Sequence, residues 1–315
     1  MILHKDTKSF ARLIAIVAEK YDINPQFIEK DYWITLILQR LSQSKYVDFA
    51  VFKGGTSLSK GYDLIFRFSE DVDIALCHTE EQSGNQIKTT IRTIEKEIAS
   101  ELTAVDKAGV TSKGSRFRKS VYSYASVLGK TVKYNSSVIV EINSFANPYP
   151  FAKQSIESFI TRYLREVGDD ESIAEFVLQP FELNVLDKRQ TLIEKLVSLV
   201  RFSQLGVAGI SSKIRHFYDL HFLLQDDECR EYVESPRFKE EFDAILAHDK
   251  EMFADPKGWQ DVAIKDIPLF SDTDRVWAEL APIYRNELSG LAFEEIPAED
   301  NVVASFKVIA DRVIR

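Results

Sequence analysis

Apolar residues recur at three- and four-residue intervals over long stretches of the chain, which is the spacing of one buried helix face. Residues 6–43 therefore read as helical, and Asn24 followed by Pro25 is typical of a helix start inside this stretch. Residues 87–102 repeat isoleucine or leucine at intervals of four, three, four and four. Both patterns predict amphipathic helices that pack one side against a core.

Shorter runs alternate apolar and polar residues and are rich in β-branched side chains, which favours strands. The connection SLSKGYDLIF, between the first two runs, is predicted to be a helix or a bent segment. The predicted strands are DFAVFK at 48–53, DVDIAL at 71–76, VYSYASVL at 121–128 and SSVIVEIN at 136–143.

Residues 147–150, Asn-Pro-Tyr-Pro, interrupt the strand pattern, because proline breaks both helices and sheet ladders. The chain beyond this point is mostly helical in pattern. We therefore predict an α+β domain over residues 1–150 and a mostly helical domain over residues 151–315.

The composition indicates a globular protein, with 45% hydrophobic and 28% charged residues. The amino-terminal segment lacks the apolar core of a signal peptide, and no apolar run approaches the roughly 20 residues that span a bilayer. The two cysteines form neither a disulfide framework nor a CxxC site. We expect a cytoplasmic protein without membrane partners.

The net charge of −9 argues against non-specific coating of nucleic acid. One segment, residues 107–133, nevertheless contains seven basic residues and no acidic one, interleaved with aromatic rings. Basic groups can hold RNA phosphates and aromatic rings can stack on unpaired bases, although a solvated basic hairpin has the same pattern. The seven residues are Lys107, Lys113, Arg116, Arg118, Lys119, Lys130 and Lys133, and the rings are Phe117, Tyr122, Tyr124 and Tyr134.

Asp71 and Asp73 are one residue apart on a predicted strand, so both carboxylates project from the same face. Two such groups repel unless a cation lies between them, and hard oxygen ligands suit Mg²⁺. An Asp-x-Asp pair alone also occurs on ordinary solvated strands. Glu141 interrupts the apolar strand SSVIVEIN and is the candidate for a third metal-binding carboxylate.

Gly54 and Gly55 follow the first predicted strand and allow the backbone to approach an anion closely. With Lys53 before them and the hydroxyls of Thr56 and Ser57 after them, they form a candidate phosphate-binding segment. A tight turn is the alternative explanation of the glycine pair alone.

Lys195 and Asp219 are charged residues within otherwise apolar helical patterns in the second half. A salt-bridged or solvated role is the simplest explanation of each. Alternatively, Lys195 reaches a triphosphate and Asp219 orients the lysine side chain. The five histidines form no metal-binding pattern.

The segment FKGGTSLSKGYDLIFRFSEDVDIAL resembles the hallmark of the AbiEii/AbiGii toxin family of nucleotidyltransferases. IEKDYWITLIL before it, and TLIEKL and RHFYDL after it, are also similar to that family, so the resemblance covers roughly residues 27–224. It implies a polymerase-β-like mixed sheet with flanking helices and an appended carboxy-terminal helical domain. The family motifs fall on residues 54–57, on Asp71 and Asp73, and on Lys195 and Asp219.

The resemblance also implies the toxin of a bacterial toxin–antitoxin or phage-defence pair, with a cognate antitoxin. Some relatives transfer nucleotides to the acceptor end of tRNA. We therefore expect a Mg²⁺-dependent or Mn²⁺-dependent transfer from a nucleoside triphosphate to RNA, with release of pyrophosphate. The alternatives are a small-molecule acceptor, or a nucleotide-binding interaction module without turnover.

Overall fold

The computed structural model describes residues 1–69, 71–77, 82–129 and 136–314. Two units are distinguished by their internal contacts. Unit 1 comprises Met1–Tyr62 and Phe68–Leu186, and unit 2 comprises Asp63–Arg67 and Asp187–Arg315. The first unit extends past the boundary expected at residue 150, because two strands that the sequence did not predict, within residues 151–186, belong to its sheet.

Unit 1 is built on one mixed sheet in the order β3-β5-β6-β2-β1-β8-β7, with β4 paired to β5. The central pairs β2–β6 and β1–β8 are parallel, and the remaining pairs are antiparallel. The α+β class is confirmed, and three of the four predicted strands are confirmed with small shifts at their ends. The strand predicted at 121–128 has the wrong bounds, because the observed strand begins at Phe117 and ends at Ser123. The strands are β1 Ala50–Lys53, β2 Asp71–Leu76, β3 Thr103–Val105, β4 Ser112–Lys113, β5 Phe117–Ser123, β6 Ser137–Asn143, β7 Phe151–Ile156 and β8 Phe181–Leu186.

Among its described residues, unit 1 contains six α-helices. As predicted, α2 begins at Pro25, where the Asn24 side chain accepts a hydrogen bond from the backbone N–H of Gln26. It packs against α4, β6 and β8, which explains why nearly all of its central residues are buried. The helices are α1 Thr7–Tyr21, α2 Pro25–Ser42, α3 Gly54–Lys60, α4 Gly84–Ile98, α5 Phe159–Glu166 and α6 Asp170–Glu175.

Unit 2 is helical where the structure describes it, as the sequence predicts. Its core includes the contacting rings of Phe217, Trp277 and Phe306. Across the described part of the chain, no helix is both long enough and apolar enough to cross a membrane. The helices are α7 Lys188–Phe202, α8 Gly206–Ser211, α9 Arg215–Gln225, α10 Asp227–Glu234, α11 Pro236–Met252, α12 Pro268–Ser271, α13 Thr273–Ser289 and α14 Glu299–Ile314.

Candidate active site

Four charged residues form one row across the middle of the unit 1 sheet. Asp73 on β2 pairs with Glu141 on β6 and with Lys53 on β1. Glu141 pairs in turn with Lys119 on β5. Side chains of directly paired residues project from the same face of a sheet. The register therefore brings together the two carboxylates that the sequence placed on different strands.

Buried apolar residues alternate with partly exposed ones along β2 and β6, and this alternation determines which sheet face carries the row. Val72 and Ile74 on β2, and Val140 and Ile142 on β6, are fully buried on the opposite face. The intervening residues, including the predicted aspartate pair, are partly exposed. Burial of the apolar set fixes the register, because a slip of one residue would exchange the two faces.

The neighbouring carboxylates raise the proton affinity of Asp73. The pKa of Asp73 is raised well above its usual range by burial and then by the negative charges of Glu141 and Asp71, which outweigh Lys53 and Lys119. Burial lowers the pKa of Lys119, but Glu141 and Asp71 outweigh it and the net shift is upward. Lys119 Nζ lies 3.3 Å from Glu141 Oε2. Asp71, two residues before Asp73 and on the same face, adds a third carboxylate, so the three carboxylates outnumber Lys53 and Lys119 by one formal charge. These five residues are called the carboxylate row below.

Gly54 begins α3 directly beside Asp73. Its φ of +81° lies in the left-handed region that favours glycine. A Cβ atom built at this position would overlap Oδ2 of Asp73. Both the backbone conformation and the close approach of the Asp73 carboxylate therefore require glycine at this position. The same approach places the candidate phosphate-binding segment directly beside the carboxylates.

The hydroxyls of Thr56 and Ser57 have a different role from the one expected. Both residues are buried. Thr56 Oγ1 donates to the carbonyl of Asp71 at 2.6 Å, and Ser57 Oγ donates to the carbonyl of Gly54 at 2.8 Å. The Thr56 hydroxyl therefore ties the first turn of α3 to β2, and the Ser57 hydroxyl bonds within that turn, so the backbone N–H groups of the turn remain as candidate phosphate donors.

The far end of α3 is anchored by a buried ion pair that the sequence reading did not identify. Lys60 Nζ lies 2.6 Å from Asp31 Oδ1, and it also donates to the carbonyl of Glu157. The other oxygen of Asp31 accepts from the backbone N–H of Phe159. The sequence feature that indicates this ion pair is the charged segment IEKD, which lies inside the otherwise apolar helix α2.

The donor chemistry of this row fits a hard divalent cation. Asp71, Asp73 and Glu141 supply carboxylate oxygens, the ligands that Mg²⁺ prefers, and a cation would relieve the repulsion that raises the pKa of Asp73. Within the described residues, no three histidine, cysteine or acidic side chains already converge as a ready-made metal cluster. The metal assignment therefore rests on donor type and charge.

Lys195 and Asp219 lie together in unit 2, as part of a buried charged cluster. Lys195 Nζ is 2.6 Å from Asp219 Oδ2. Arg67 grips the same carboxylate with two hydrogen bonds, from Nε at 2.7 Å and from Nη2 at 2.6 Å. Burial raises the pKa of Asp219, but Arg67 and Lys195 outweigh it and hold the pKa well below its usual range.

This cluster supports a salt-bridged role for both residues and adds Arg67, which the sequence reading left without a role. Arg67 stood in the quoted RFSED segment, but its partner is 152 residues away along the chain. No local pattern could have revealed that pairing.

The predicted basic patch is divided by the structure. Arg118 forms an ion pair with the buried Glu95, and Lys119 belongs to the carboxylate row. Lys113 and Arg116 are exposed near the turn between β4 and β5. Lys130, Lys133 and Tyr134 lie outside the described residues. Lys113 and Arg116 therefore remain exposed candidates for RNA binding, whereas Arg118 and Lys119 are engaged with carboxylates.

Comparison with known proteins adds a family and a fold. Residues 36–308 match the model of the nucleotidyl transferase AbiEii toxin of type IV toxin–antitoxin systems. The structure is similar to MenT4, a nucleotidyltransferase toxin from Mycobacterium tuberculosis H37Rv, with a TM-score of 0.52 and 14% identity, covering 95% of this chain and 89% of that one. No curated protein sequence matches the chain.

Proposed function

We propose a function for this chain, which belongs to the AbiEii family of nucleotidyltransferase toxins of type IV toxin–antitoxin systems. The protein transfers a nucleoside monophosphate from a nucleoside triphosphate to an RNA hydroxyl. The acceptor end of tRNA is the favoured target. The observation that carries the proposal is the row of Glu141 and Asp73 beside the Gly54 turn. It joins a carboxylate cluster to a close backbone approach of the kind that phosphates need.

The proposed reaction is an in-line displacement at the α-phosphorus. The acceptor oxygen forms a bond to phosphorus while the bond to the β-phosphate oxygen breaks, and pyrophosphate leaves. The proton of the acceptor hydroxyl is released to solvent. Such a transition state requires positioning and charge compensation more than covalent participation of the protein.

Asp71, Asp73 and Glu141 are proposed to hold Mg²⁺ or Mn²⁺. When bound there, the metal would neutralise phosphate charge and lower the pKa of the attacking hydroxyl. The residues themselves fix the position of the phosphates relative to the sheet. Their placement on two adjacent strands of a buried sheet supports this role, since rigid elements hold a site more precisely than loops do.

Lys53 and the backbone N–H groups of residues 54–57 are proposed to bind the β- and γ-phosphates. By family position, Lys195 is proposed to add positive charge in the transition state, with Asp219 fixing its ammonium group. The 2.6 Å contact between these two side chains supports the second half of that assignment. The further proposals are a cognate antitoxin, growth arrest of the host and a role in phage defence.

A small-molecule acceptor is the second candidate. Arg118 and Lys119 are engaged with Glu95 and Glu141, so fewer basic residues are available to RNA than the sequence indicates. The net charge of −9 points the same way. An interaction module without turnover is the third alternative, and the intact carboxylate row argues against it.

The test is incubation of the purified protein with total bacterial tRNA, Mg²⁺ and each α-labelled nucleoside triphosphate in turn, beside Asp71→Ala. Label in RNA with the wild type, but not with the variant, supports the proposal and identifies the nucleotide. Label in a small molecule from a cell extract, with none in RNA, supports the second candidate. No label and no pyrophosphate with any acceptor supports the binding module.

A further inference from the structure

Two phenylalanine rings lie on the sheet face that carries the carboxylate row. On β5, Phe117 is two residues from Lys119, so both side chains project from the same face. Phe117 pairs with Asn143, just as Lys119 pairs with Glu141. Phe145 follows β6, and its ring centroid lies 6.0 Å from that of Phe117, with 36° between the planes.

Both rings are partly exposed, unlike the apolar residues that fill the sheet core. Val121, on the same strand and the same face, is buried. A partly exposed pair of large aromatic side chains beside a charged cluster is more informative than a single such ring, since it offers a surface for a flat ligand. The pair Phe117 and Phe145 is called the ring pair below.

The ring pair and the Gly54 turn lie on opposite sides of Asp73 along the strand direction. The turn lies beside Asp71 and Asp73, because Thr56 donates to the Asp71 carbonyl. The ring pair is level with Asn143, whose partner on β2 is Ala75, two residues beyond Asp73. The carboxylates thus separate a candidate phosphate site from an aromatic surface.

This arrangement identifies which substrate the rings face. In an in-line displacement, the attacking oxygen and the leaving pyrophosphate lie on opposite sides of the α-phosphorus. If the Gly54 turn holds the leaving side, the acceptor approaches from the side of the ring pair. We infer that the terminal unpaired base of an acceptor RNA stacks on Phe117 and Phe145, an inference that rests on the proposed function.

The spacing and the neighbouring charges agree with this occupant. Strand geometry places the Cα atoms of Phe117 and Glu141 about 8 Å apart, a reach comparable to one nucleoside. Arg116, directly before Phe117, and Lys113 are both exposed. They provide the positive charge that the phosphates preceding the terminal nucleoside require. The ring pair would accept any base, because every base has a stackable face.

The experiment compares two RNA hairpins with a single-stranded 3′ end, one intact and one lacking only its terminal base. Binding is measured by fluorescence anisotropy at fixed salt, without nucleotide, so that it does not depend on catalysis. The variants are Phe117→Ala, and Phe117→Leu, which keeps apolar bulk but removes the ring. Phe151→Ala is the matched control, because the partly exposed Phe151 at the start of β7 stacks with the exposed Tyr149, and β7 is the sheet edge farther from β5.

We expect the wild type to bind the intact RNA about 5- to 100-fold more tightly than the abasic RNA. Both Phe117 variants should lose that preference while binding the abasic RNA as the wild type does. Phe117→Trp should restore it, and Phe151→Ala should keep it. An unchanged preference in the Phe117 variants overturns the inference, as does a change only in the nucleoside triphosphate KM, which would place the nucleotide's own base on the rings.

Label transfer to the same hairpins separates this inference from the proposed function. A wild type that prefers the intact RNA but transfers no label refutes the proposed function and leaves the stacking surface standing. A wild type that labels both hairpins with equal affinity refutes the stacking surface and leaves the proposed function standing. Loss of both binding and transfer to RNA overturns both.

Discussion

The two charged clusters of this protein use the same side-chain chemistry with opposite results. In unit 1, the carboxylates of Asp71, Asp73 and Glu141 face Lys53 and Lys119, and the pKa of Asp73 is raised. In unit 2, the single carboxylate of Asp219 lies between Arg67 and Lys195, and its pKa is lowered. The first cluster is partly exposed, whereas Asp219 is 0% exposed.

The difference shows what distinguishes a ligand site from a self-sufficient ion cluster. Asp219 receives three close contacts from its two cations, so its negative charge is fully matched within the protein. The carboxylate row has three acidic side chains and two lysines on a partly exposed face, and a bound cation would relieve the repulsion that raises the pKa of Asp73. We therefore expect substitutions in the two clusters to affect different properties.

The largest expected effect is on transfer activity, in Asp73→Asn. This change keeps the side-chain shape and removes one of three mutually repelling charges. Transfer should fall by about 10³-fold or more, the order of effect seen when a transition-state contact is lost. The unfolding temperature should stay the same or rise. A parallel loss of folding and activity would mean that Asp73 is a structural residue.

Asp219→Asn should have the opposite profile. It removes the negative charge that Arg67 and Lys195 both contact in the interior, which costs about 3–5 kcal/mol in unfolding free energy. Chemical denaturation at pH 7 measures this change. A loss below 1 kcal/mol would show that the cluster of unit 2 is not the stabilising element that its contacts indicate.

The lowered pKa of Asp219 also predicts how the unfolding free energies of the wild type and of Asp219→Asn depend on pH. A carboxylate whose pKa is depressed by folding stabilises the protein above its unfolded pKa, about 3.9. The stability difference between the wild type and Asp219→Asn should therefore be constant from pH 8 to about pH 5. It should shrink only as the pH falls below about 4, and a difference that disappears near pH 6 would contradict the assignment.

Lys195→Met tests whether unit 2 also contributes to the reaction. Asp219 keeps both hydrogen bonds from Arg67 in this variant, so the stability cost should be smaller, about 1–3 kcal/mol. If Lys195 carries positive charge to the transition state, transfer should fall about 10²-fold. Activity that follows the folded fraction alone would restrict Lys195 to a structural role.

Gly54→Ala should displace the Asp73 carboxylate, because Gly54 lies directly beside it. The added Cβ overlaps Asp73 and the backbone has a φ of +81°. We expect a loss of about 1–3 kcal/mol together with reduced transfer. Gly168→Ala is the matched control, because Gly168 has a φ of +73° but open space around its Cβ position. Equal effects in both variants would show that the contact with Asp73 is unimportant.

The smallest expected effect is stabilisation by Mg²⁺. A ligand at about five times its Kd stabilises the folded state by about 1 kcal/mol. Mg²⁺ should raise the unfolding temperature of the wild type and leave Asp73→Asn unchanged. An equal rise in both proteins would locate the bound metal elsewhere.

The sequence predicted the local parts of the site and missed the long-range ones. The alternation of DVDIAL and SSVIVEIN was enough to place Asp71, Asp73 and Glu141 on strands with their apolar neighbours inside. It could not show that Glu141 pairs with Asp73, because the register of a parallel pair joins residues 68 positions apart. The strand β8 was missed because its partner on β1 is remote along the chain, with Phe52 opposite Val185. The strand β7 was missed because the three consecutive polar residues of FAKQSI break the alternation.

Charge patterns were the least reliable guide. A run of basic residues predicted one surface, yet Arg118 and Lys119 project from opposite faces of β5 and bind different carboxylates. Period-two alternation divides any charged run on a strand in this way. Lys107, Lys113 and Arg116 are exposed and remain candidates for the predicted surface.

The central claim is that the carboxylate row is the centre of nucleotidyl transfer, whatever the acceptor. Its most direct test is pyrophosphate release from each nucleoside triphosphate, with Mg²⁺ and a whole-cell extract as the acceptor pool, by wild type and Asp71→Ala at equal folded concentrations. We expect the wild type to release pyrophosphate and the variant to release it at least about 10³-fold more slowly. Equal release by both proteins would contradict the claim.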